Sequence, residues 1–160
     1  VKLMKVAIYP GSFDPITNGH LDILKRSLEV FDKVIILIAT NSKKKCFFSP
    51  EERKEMISEA INDLGLKNVS IDTYEGLTVK YAKEHGIKHL IRGLRAVTDF
   101  EYEFQIASAN EFADKDIDMI FFMARNQTTF ISSSVIMELH SNGTDVSPLV
   151  PQAVYKRLKY

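Results

Sequence analysis

The residues of this chain best equipped for chemistry fall in four short segments. The first, Gly11-Ser12-Phe13-Asp14-Pro15-Ile16-Thr17-Asn18-Gly19-His20, packs glycines, hydroxyls, a carboxylate and an imidazole together. The second, Thr40-Asn41-Ser42-Lys43-Lys44-Lys45, ends in consecutive ammonium groups, and the third, Arg92-Gly93-Leu94-Arg95, sets two guanidinium forks on either side of a Gly-Leu pair. The fourth runs from Asn126 through Thr128, Thr129, Phe130 and Ile131 to Ser132-Ser133-Ser134. All four are rich in donors to anionic oxygen. A guanidinium grips phosphate through two parallel N–H bonds, and a lysine adds a mobile point charge. Serines at a helix start combine hydroxyls with unpaired backbone N–H groups. No Ser–His–acid set accompanies them, and Cys46 has no histidine near it in sequence. The chemistry indicated is phosphate handling without a covalent intermediate.

The elements that must position these segments follow from periodicity. Lys5 to Tyr9 reads as a buried strand, and Leu21, Leu24, Leu28 and Phe31 recur at helical spacing beyond it. The first segment therefore leaves the carboxyl end of a strand and enters a helix, which is where open α/β sheets bind ligands. Gly11 and Gly19 allow close approach of the backbone, and His20 places an imidazole donor at the helix mouth. Lys33 to Ala39 is a second strand. Ser49-Pro50-Glu51-Glu52 is a capping box opening a helix to about Leu64. Asn68 to Asp72 reads as a third strand, Leu77 to His85 as a helix closed by Gly86, and His89 to Arg92 as a fourth strand. A second capping box, Thr98-Asp99-Phe100-Glu101, opens a helix through about Ala113, and Asp118 to Met123 is a fifth strand. A helix from Ser132 or Ser133 to near Gly143 and a last one from Pro151 complete the pattern. The expectation is an α/β fold, a doubly wound five-stranded parallel sheet of Rossmann-like type, in a single domain over residues 1–160. Each segment then follows a strand's carboxyl end.

Composition narrows the function classes. Lys plus Arg balances Asp plus Glu at 21 each, so the basic excess of a dedicated nucleic-acid binder is missing. A lone Cys46 excludes an internal disulfide and a Cys-based zinc site. The longest aliphatic run, Val34 to Ala39, is too short to span a bilayer. No apolar signal region stands at the start, where Met4 reads as the natural initiator with Val1-Lys2-Leu3 ahead of it. A soluble, cytoplasmic setting is expected, with no membrane or nucleic-acid partner. Neither G-x-x-x-x-G-K-[ST] nor G-x-G-x-x-G occurs, which removes the two commonest phosphate loops. Asp14, just before Pro15, reads as a turn residue rather than a metal ligand. Arg95 has two readings: a phosphate clamp, or a partner of Asp99 or Glu103 on the following helix.

The Gly11–His20 string resembles the signature of the nucleotidylyltransferase superfamily, whose H-x-G-H or T-x-G-H element follows the first strand. Thr17-Asn18-Gly19-His20, the Lys44 loop, I-R-G-L-R-A-V-T-D-F-E-Y-E (residues 91–103) and F-I-S-S-S (residues 130–134) are together similar to bacterial phosphopantetheine adenylyltransferases over nearly the whole chain. The resemblance implies transfer of AMP from ATP, with its Mg²⁺, to 4′-phosphopantetheine, giving dephospho-coenzyme A and pyrophosphate. It assigns Ser12, Lys44, Thr78 and Arg92 to the phosphopantetheine side. It assigns Ser12, Phe13, His20, Gly93, Leu94, Arg95 and Glu103, with Thr128, Thr129, Phe130, Ile131, Ser132, Ser133 and Ser134, to ATP. His20, Lys44, Arg92 and Ser12 would carry the reaction; a homohexamer inhibited by coenzyme A is also implied. Departures are Ser12 in place of a common Thr, Met137 where relatives often carry Lys or Arg, and Thr128 where some carry an aromatic. Other readings are a cytidylyl or nicotinate-mononucleotide transferase, a non-catalytic nucleotide or coenzyme A sensor, and a flavodoxin-like carrier. The I-R-G-L-R-A stretch, the intact His20, Lys44 and Arg92, and the lack of a flavin phosphate pattern weigh against them in turn.

Overall fold

A computed structural model describes residues 3–95, 97–125 and 131–158, with the backbone alone for 97–100. Apolar runs too rich in β-branched residues for helix form the strands β1 (Val6–Gly11), β2 (Lys33–Ala39), β3 (Val69–Tyr74), β4 (His89–Leu94) and β5 (Asp118–Met123). Between and after them lie α1 (Asn18–Val30), α2 (Pro50–Asp63), α3 (Thr78–Glu84), α4 (Val97–Ala113), α5 (Ser133–Ser141) and α6 (Gln152–Tyr155), with a 3₁₀ turn at Ser147–Leu149. All strand pairs are parallel, in the order β3-β2-β1-β4-β5. The expected doubly wound sheet is the one observed.

Strand residues alternate between two apolar layers, as a pleated sheet covered on both faces requires. Ala7, Tyr9, Val34, Ile36 and Ile38 face α1, α2, α5 and α6, while Ile8, Ile35, Leu37 and Leu90 face α3. The α2 start is the expected capping box: Ser49 Oγ accepts from Glu52 N, and Glu52 reaches back to Ser49 N at 2.9 Å. Its Met56, Ile57, Ala60 and Ile61 are buried on the sheet. Gly86 closes α3 at φ +65°, a conformation open to glycine at low cost.

Strand ends differ from the sequence reading in an informative way. β1 continues past Tyr9 through Pro10 and Gly11, because both stay in register with Leu37 and Ile38 of β2. β4 continues past Arg92 through Gly93 and Leu94, paired to Phe122 and Met123 of β5. β3 begins one residue later than expected, since Asn68 sits at φ +63° in a turn, and then runs on to Tyr74 against Ala39. In each case ladder pairing, not side-chain hydrophobicity, decides the end. The second expected capping box, Thr98 to Glu101, rests on side chains at 98–100 that lie outside the described residues; α4 itself begins at Val97.

The packing of α2 on the sheet is measurable. Ile57 is fully buried, so Ile57→Ala should cost about 2–5 kcal/mol in urea-induced unfolding. A loss under about 1 kcal/mol would show that α2 does not rest on the sheet in solution.

Candidate active site

The site originates where two neighbouring strands stop pairing. β1 stays with β2 as far as Gly11, and β4 stays with β5 as far as Leu94. Between themselves β1 and β4 pair only at Ala7–His89 and Ile8–Leu90. Beyond that point they part, and a cavity of about 460 Å³ opens at the carboxyl edge of the sheet. This is the topological switch point, the general ligand position of open α/β folds.

Arg92 spans the split. Its Nη1 donates to the Pro10 carbonyl at 3.2 Å, and Nε and Nη2 donate to the two Glu103 oxygens at 3.1 and 2.7 Å. Burial opposes the guanidinium charge, but Glu103 outweighs it and keeps the group protonated. A guanidinium has five N–H donors; these bonds occupy three, leaving two on a fork whose plane is fixed. Glu103, weighed from sequence as a partner of Arg95, gives both of its oxygens to Arg92. Asp99, the other partner considered, has its side chain outside the described residues.

His20 is fixed as firmly. Thr17 is the N-cap of α1; its Oγ1 accepts from His20 N at 3.2 Å, and its own N–H donates to His20 Nδ1 at 3.0 Å. Helix capping and the chemical role, opposed as alternatives for a histidine at a helix start, are here served by opposite edges of one ring. With Nδ1 accepting, the ring proton belongs on Nε2, the edge left for the cavity that His20 lines. Phe13 and Tyr9 pack edge-on against the ring at 4.9 and 6.3 Å between centroids. Burial, helped by Arg92 and then Arg95, depresses the imidazole pKa from 6.5 to about 4. His20 is thus a neutral donor of fixed tautomer.

The loop between β1 and α1 is tied on several sides. Asp14 accepts from Phe47 N at 2.8 Å and Phe48 N at 2.9 Å, which makes it the expected turn residue and also a clamp on the lysine loop. Ser133 Oγ donates to the Pro15 carbonyl at 2.8 Å, bringing the α5 start to the same loop. Ser132 caps α5 by accepting from Val135 N, and its Oγ lies 3.2 Å from that of Ser134. At Gly11 a Cβ would come 3.1 Å from the Phe13 ring, so the close packing of this loop on itself needs glycine there.

Of the residues singled out from sequence, Ser12, His20, Lys44, Arg92, Gly93, Leu94, Arg95, Glu103, Ile131, Ser132, Ser133 and Ser134 border the one cavity. Gly93 and Leu94 do so from inside β4 rather than from a loop, for the pairing reason given above. The Phe13 ring does not border it and is buried in the core against Tyr9. Thr78 also stands apart, as the first residue of α3. Thr128, Thr129 and Phe130 lie outside the described residues. Met137 packs against the apolar core. Sequence reading missed Phe47 and Tyr102, and it singled out Lys44 alone of the lysine run where Lys45 lines the cavity too. Lys45 was read as a solvated neighbour of Lys44, and Tyr102 only as part of the 91–103 string. The lining holds four cationic side chains, Lys44, Lys45, Arg92 and Arg95, and its two carboxylates, Asp14 and Glu103, are already engaged. Among the described residues no three His, Cys, Asp or Glu side chains gather to hold a metal. The arrangement suits a polyphosphate, gripped by cations and fixed N–H donors.

Known proteins match this arrangement in sequence and in fold. Residues 8–139 match the Cytidylyltransferase-like family. A phosphopantetheine adenylyltransferase from Thermotoga neapolitana is 48% identical over 158 residues, covering 96% of this chain and 97% of its own length. One from Leptospira biflexa is 47% identical over 156 residues, covering 98% and 96%. A crystal structure from Vibrio parahaemolyticus, provisionally assigned as a nicotinate-nucleotide adenylyltransferase, superposes with a TM-score of 0.73 over 98% of this chain and 99% of its own. At 20% identity it speaks to the fold alone. With the switch-point cavity, the Thr17–His20 capping element and this near full-length identity together, the chain belongs to the phosphopantetheine adenylyltransferases of the Cytidylyltransferase-like family.

Proposed function

We propose that this chain transfers AMP from ATP to 4′-phosphopantetheine, a step of coenzyme A biosynthesis, giving dephospho-coenzyme A and pyrophosphate. The observation that carries the reading is the set of cations and fixed donors at the parting of β1 and β4, in a chain 48% identical to an adenylyltransferase of this name along nearly its full length. An oxygen of the acceptor phosphate forms the new bond to the α-phosphorus, and the α-to-β bridging bond breaks. The attacking oxygen is already anionic, so no base is required. Catalysis then rests on alignment and on charge stabilisation. The two remaining Arg92 donors and Lys44 would hold the acceptor phosphate. His20 Nε2–H would donate to the α-phosphate, Ser12 would lie between the substrates, and Arg95 with the α5 start would take the leaving pyrophosphate. Mg²⁺ would enter on the ATP phosphates, since both cavity carboxylates are held by protein donors. Coenzyme A, which contains the acceptor moiety, would compete for the same cavity. A cytoplasmic setting follows from such substrates; among the described residues no helix is long and apolar enough to cross a membrane.

Self-association belongs to the same proposal, with a homohexamer as the expected form. α4 presents Phe104 and Phe112, exposed by 61% and 95%, and the edge strand β5 ends in Met123, exposed by 66%. Exposed apolar side chains of this size are usually covered in an assembly.

The direct test is pyrophosphate release from ATP with 4′-phosphopantetheine, set against nicotinate mononucleotide and other phosphomonoesters. No release with 4′-phosphopantetheine would overturn the reading. His20→Ala should lower kcat by roughly 10²–10³ with ATP binding retained. His20→Gln, which can still cap α1 and still donate, should recover part of both stability and rate. Near-normal turnover by the alanine variant would leave the ring a cap alone. Because the folded pKa is depressed to about 4, the unfolded chain binds the proton first as pH falls below about 6.5. Stability should therefore drop from about pH 6.5 towards 4 by up to roughly 3 kcal/mol, a slope His20→Gln should lack.

Lys44 and Lys45 line the cavity and Lys43 does not. Lys44→Ala should accordingly depress transfer most, Lys45→Ala less, and Lys43→Ala hardly at all. Equal losses, with strong salt dependence, would indicate a diffuse field instead. For the assembly, Phe112→Asp should shift the species seen by light scattering towards monomer; an unchanged mass would clear α4 of the role.

A further inference from the structure

Arg53 is 2% exposed, yet it meets no carboxylate among the described residues. Its partners are three main-chain carbonyls: Ser12 at 2.7 Å, Ala39 at 3.4 Å and Ser49 at 3.4 Å. An apolar side chain would fill the same space without the desolvation cost of a charge that has no counter-ion. The shortest bond goes to the loop that carries Ser12, and it fixes the orientation of one peptide group. In a trans peptide the C=O and N–H point in opposite directions. With the Ser12 carbonyl drawn onto buried Arg53, the N–H of Phe13 points away from it.

Two observations single out that N–H. Phe13 is a non-glycine residue at φ +47°, a conformation that persists only when its surroundings impose it. Its ring is locked between Tyr9 and His20, which fixes one side of the residue. Moreover, Phe13 is 1% exposed and its N–H donates to no acceptor among the described residues. Buried main-chain donors without a partner are rare in folded proteins.

We infer that Arg53 is a positioning residue: it holds the Ser12–Phe13 peptide so that the Phe13 N–H is a preset donor for a phosphate oxygen on the side where Ser12 borders the cavity. The inference depends on the adenylyl-transfer reading for the choice of substrate, though not for the anion itself. Arg53 acts through the peptide and touches no reacting atom. The same guanidinium ties the end of β2, and so the base of the lysine loop, to the same point.

The test uses the full chain and the variants Arg53→Met, Arg53→Lys and Arg157→Met. The last removes a guanidinium that also anchors α2, through Glu59 at 2.7 and 3.1 Å, at residues that do not line the cavity. Thermal melting, kcat with each KM, and the ¹⁵N–¹H resonance of Phe13 titrated with pyrophosphate are measured. Arg53→Met should lower kcat by about 10–100-fold with each KM within about threefold, and its Phe13 resonance should no longer respond to pyrophosphate. Arg53→Lys should recover part of both, because one ammonium can reach the Ser12 carbonyl but not three carbonyls at once. Arg157→Met should lower the melting temperature and leave kcat unchanged. The proposal is overturned by a folded Arg53→Met with kcat within about threefold of the parent, or with an intact Phe13 response. Should Arg53→Met not fold, the same two results with Arg53→Leu, which also removes every donor, overturn it. A parent that responds to pyrophosphate at Phe13 but makes no dephospho-coenzyme A removes the substrate reading and leaves Arg53 in place.

Discussion

Two parallel strands that abandon each other early set the terms for the rest of this molecule. Once β1 and β4 part after Ile8 and Leu90, main-chain groups that a continuous ladder would satisfy need other partners. Pro10, which has no N–H to offer, still presents a carbonyl at the split. A charged side chain from the opposite strand reaches across to that carbonyl, and a carboxylate from α4 holds the same side chain in plane. The cation that repairs the gap is thereby the cation that faces whatever enters it. Fold and site are not separable here: the defect in the sheet recruits Arg92, and Arg92 gives the defect its charge.

His20 shows the same economy at a smaller scale. A capping box needs an acceptor at the third helical position, a role usually filled by Glu or Gln. An imidazole can fill it through Nδ1 only when neutral, and this forces the proton to Nε2. Burial beside two arginines keeps it neutral at physiological pH. A cap that would elsewhere serve only the helix therefore determines which atom of the ring can donate and where it points. A carboxylate in the same place would cap as well and repel a phosphate.

Much of this was legible in the residues. Periodicity and capping signals located every strand and the six helices, and the Asp118–Met123 and Lys33–Ala39 strands were read to the residue. The four donor-rich segments do meet at one edge, as strand order requires. What sequence could not supply was partner choice. Glu103 was weighed as a partner of Arg95, and its two oxygens accept from Arg92. The Phe13 ring packs into the core, so anything Phe13 offers a ligand comes from its main chain. Arg53 shares a helical stripe with Met56, Ile57 and Ala60. A cation on a buried stripe is a signal, but the carbonyls it serves come from segments distant in sequence and become neighbours only in the fold.

The ties on the loop of residues 11–17 also bear on its motion. α2 holds it at Ser12 through Arg53, the segment leading into α2 holds it at Asp14 through two amides, and α5 holds it at Pro15 through Ser133. A surface loop ordinarily opens alone, at a small fraction of the global unfolding free energy. This one has no such independent route, because peeling it away breaks contacts to two helices at once. Loop, α2 start and α5 start form one cooperative unit whose opening draws on the stability of the sheet itself. Proteolytic nicking and fast amide exchange, which report the weakest points of a fold, belong elsewhere on this molecule.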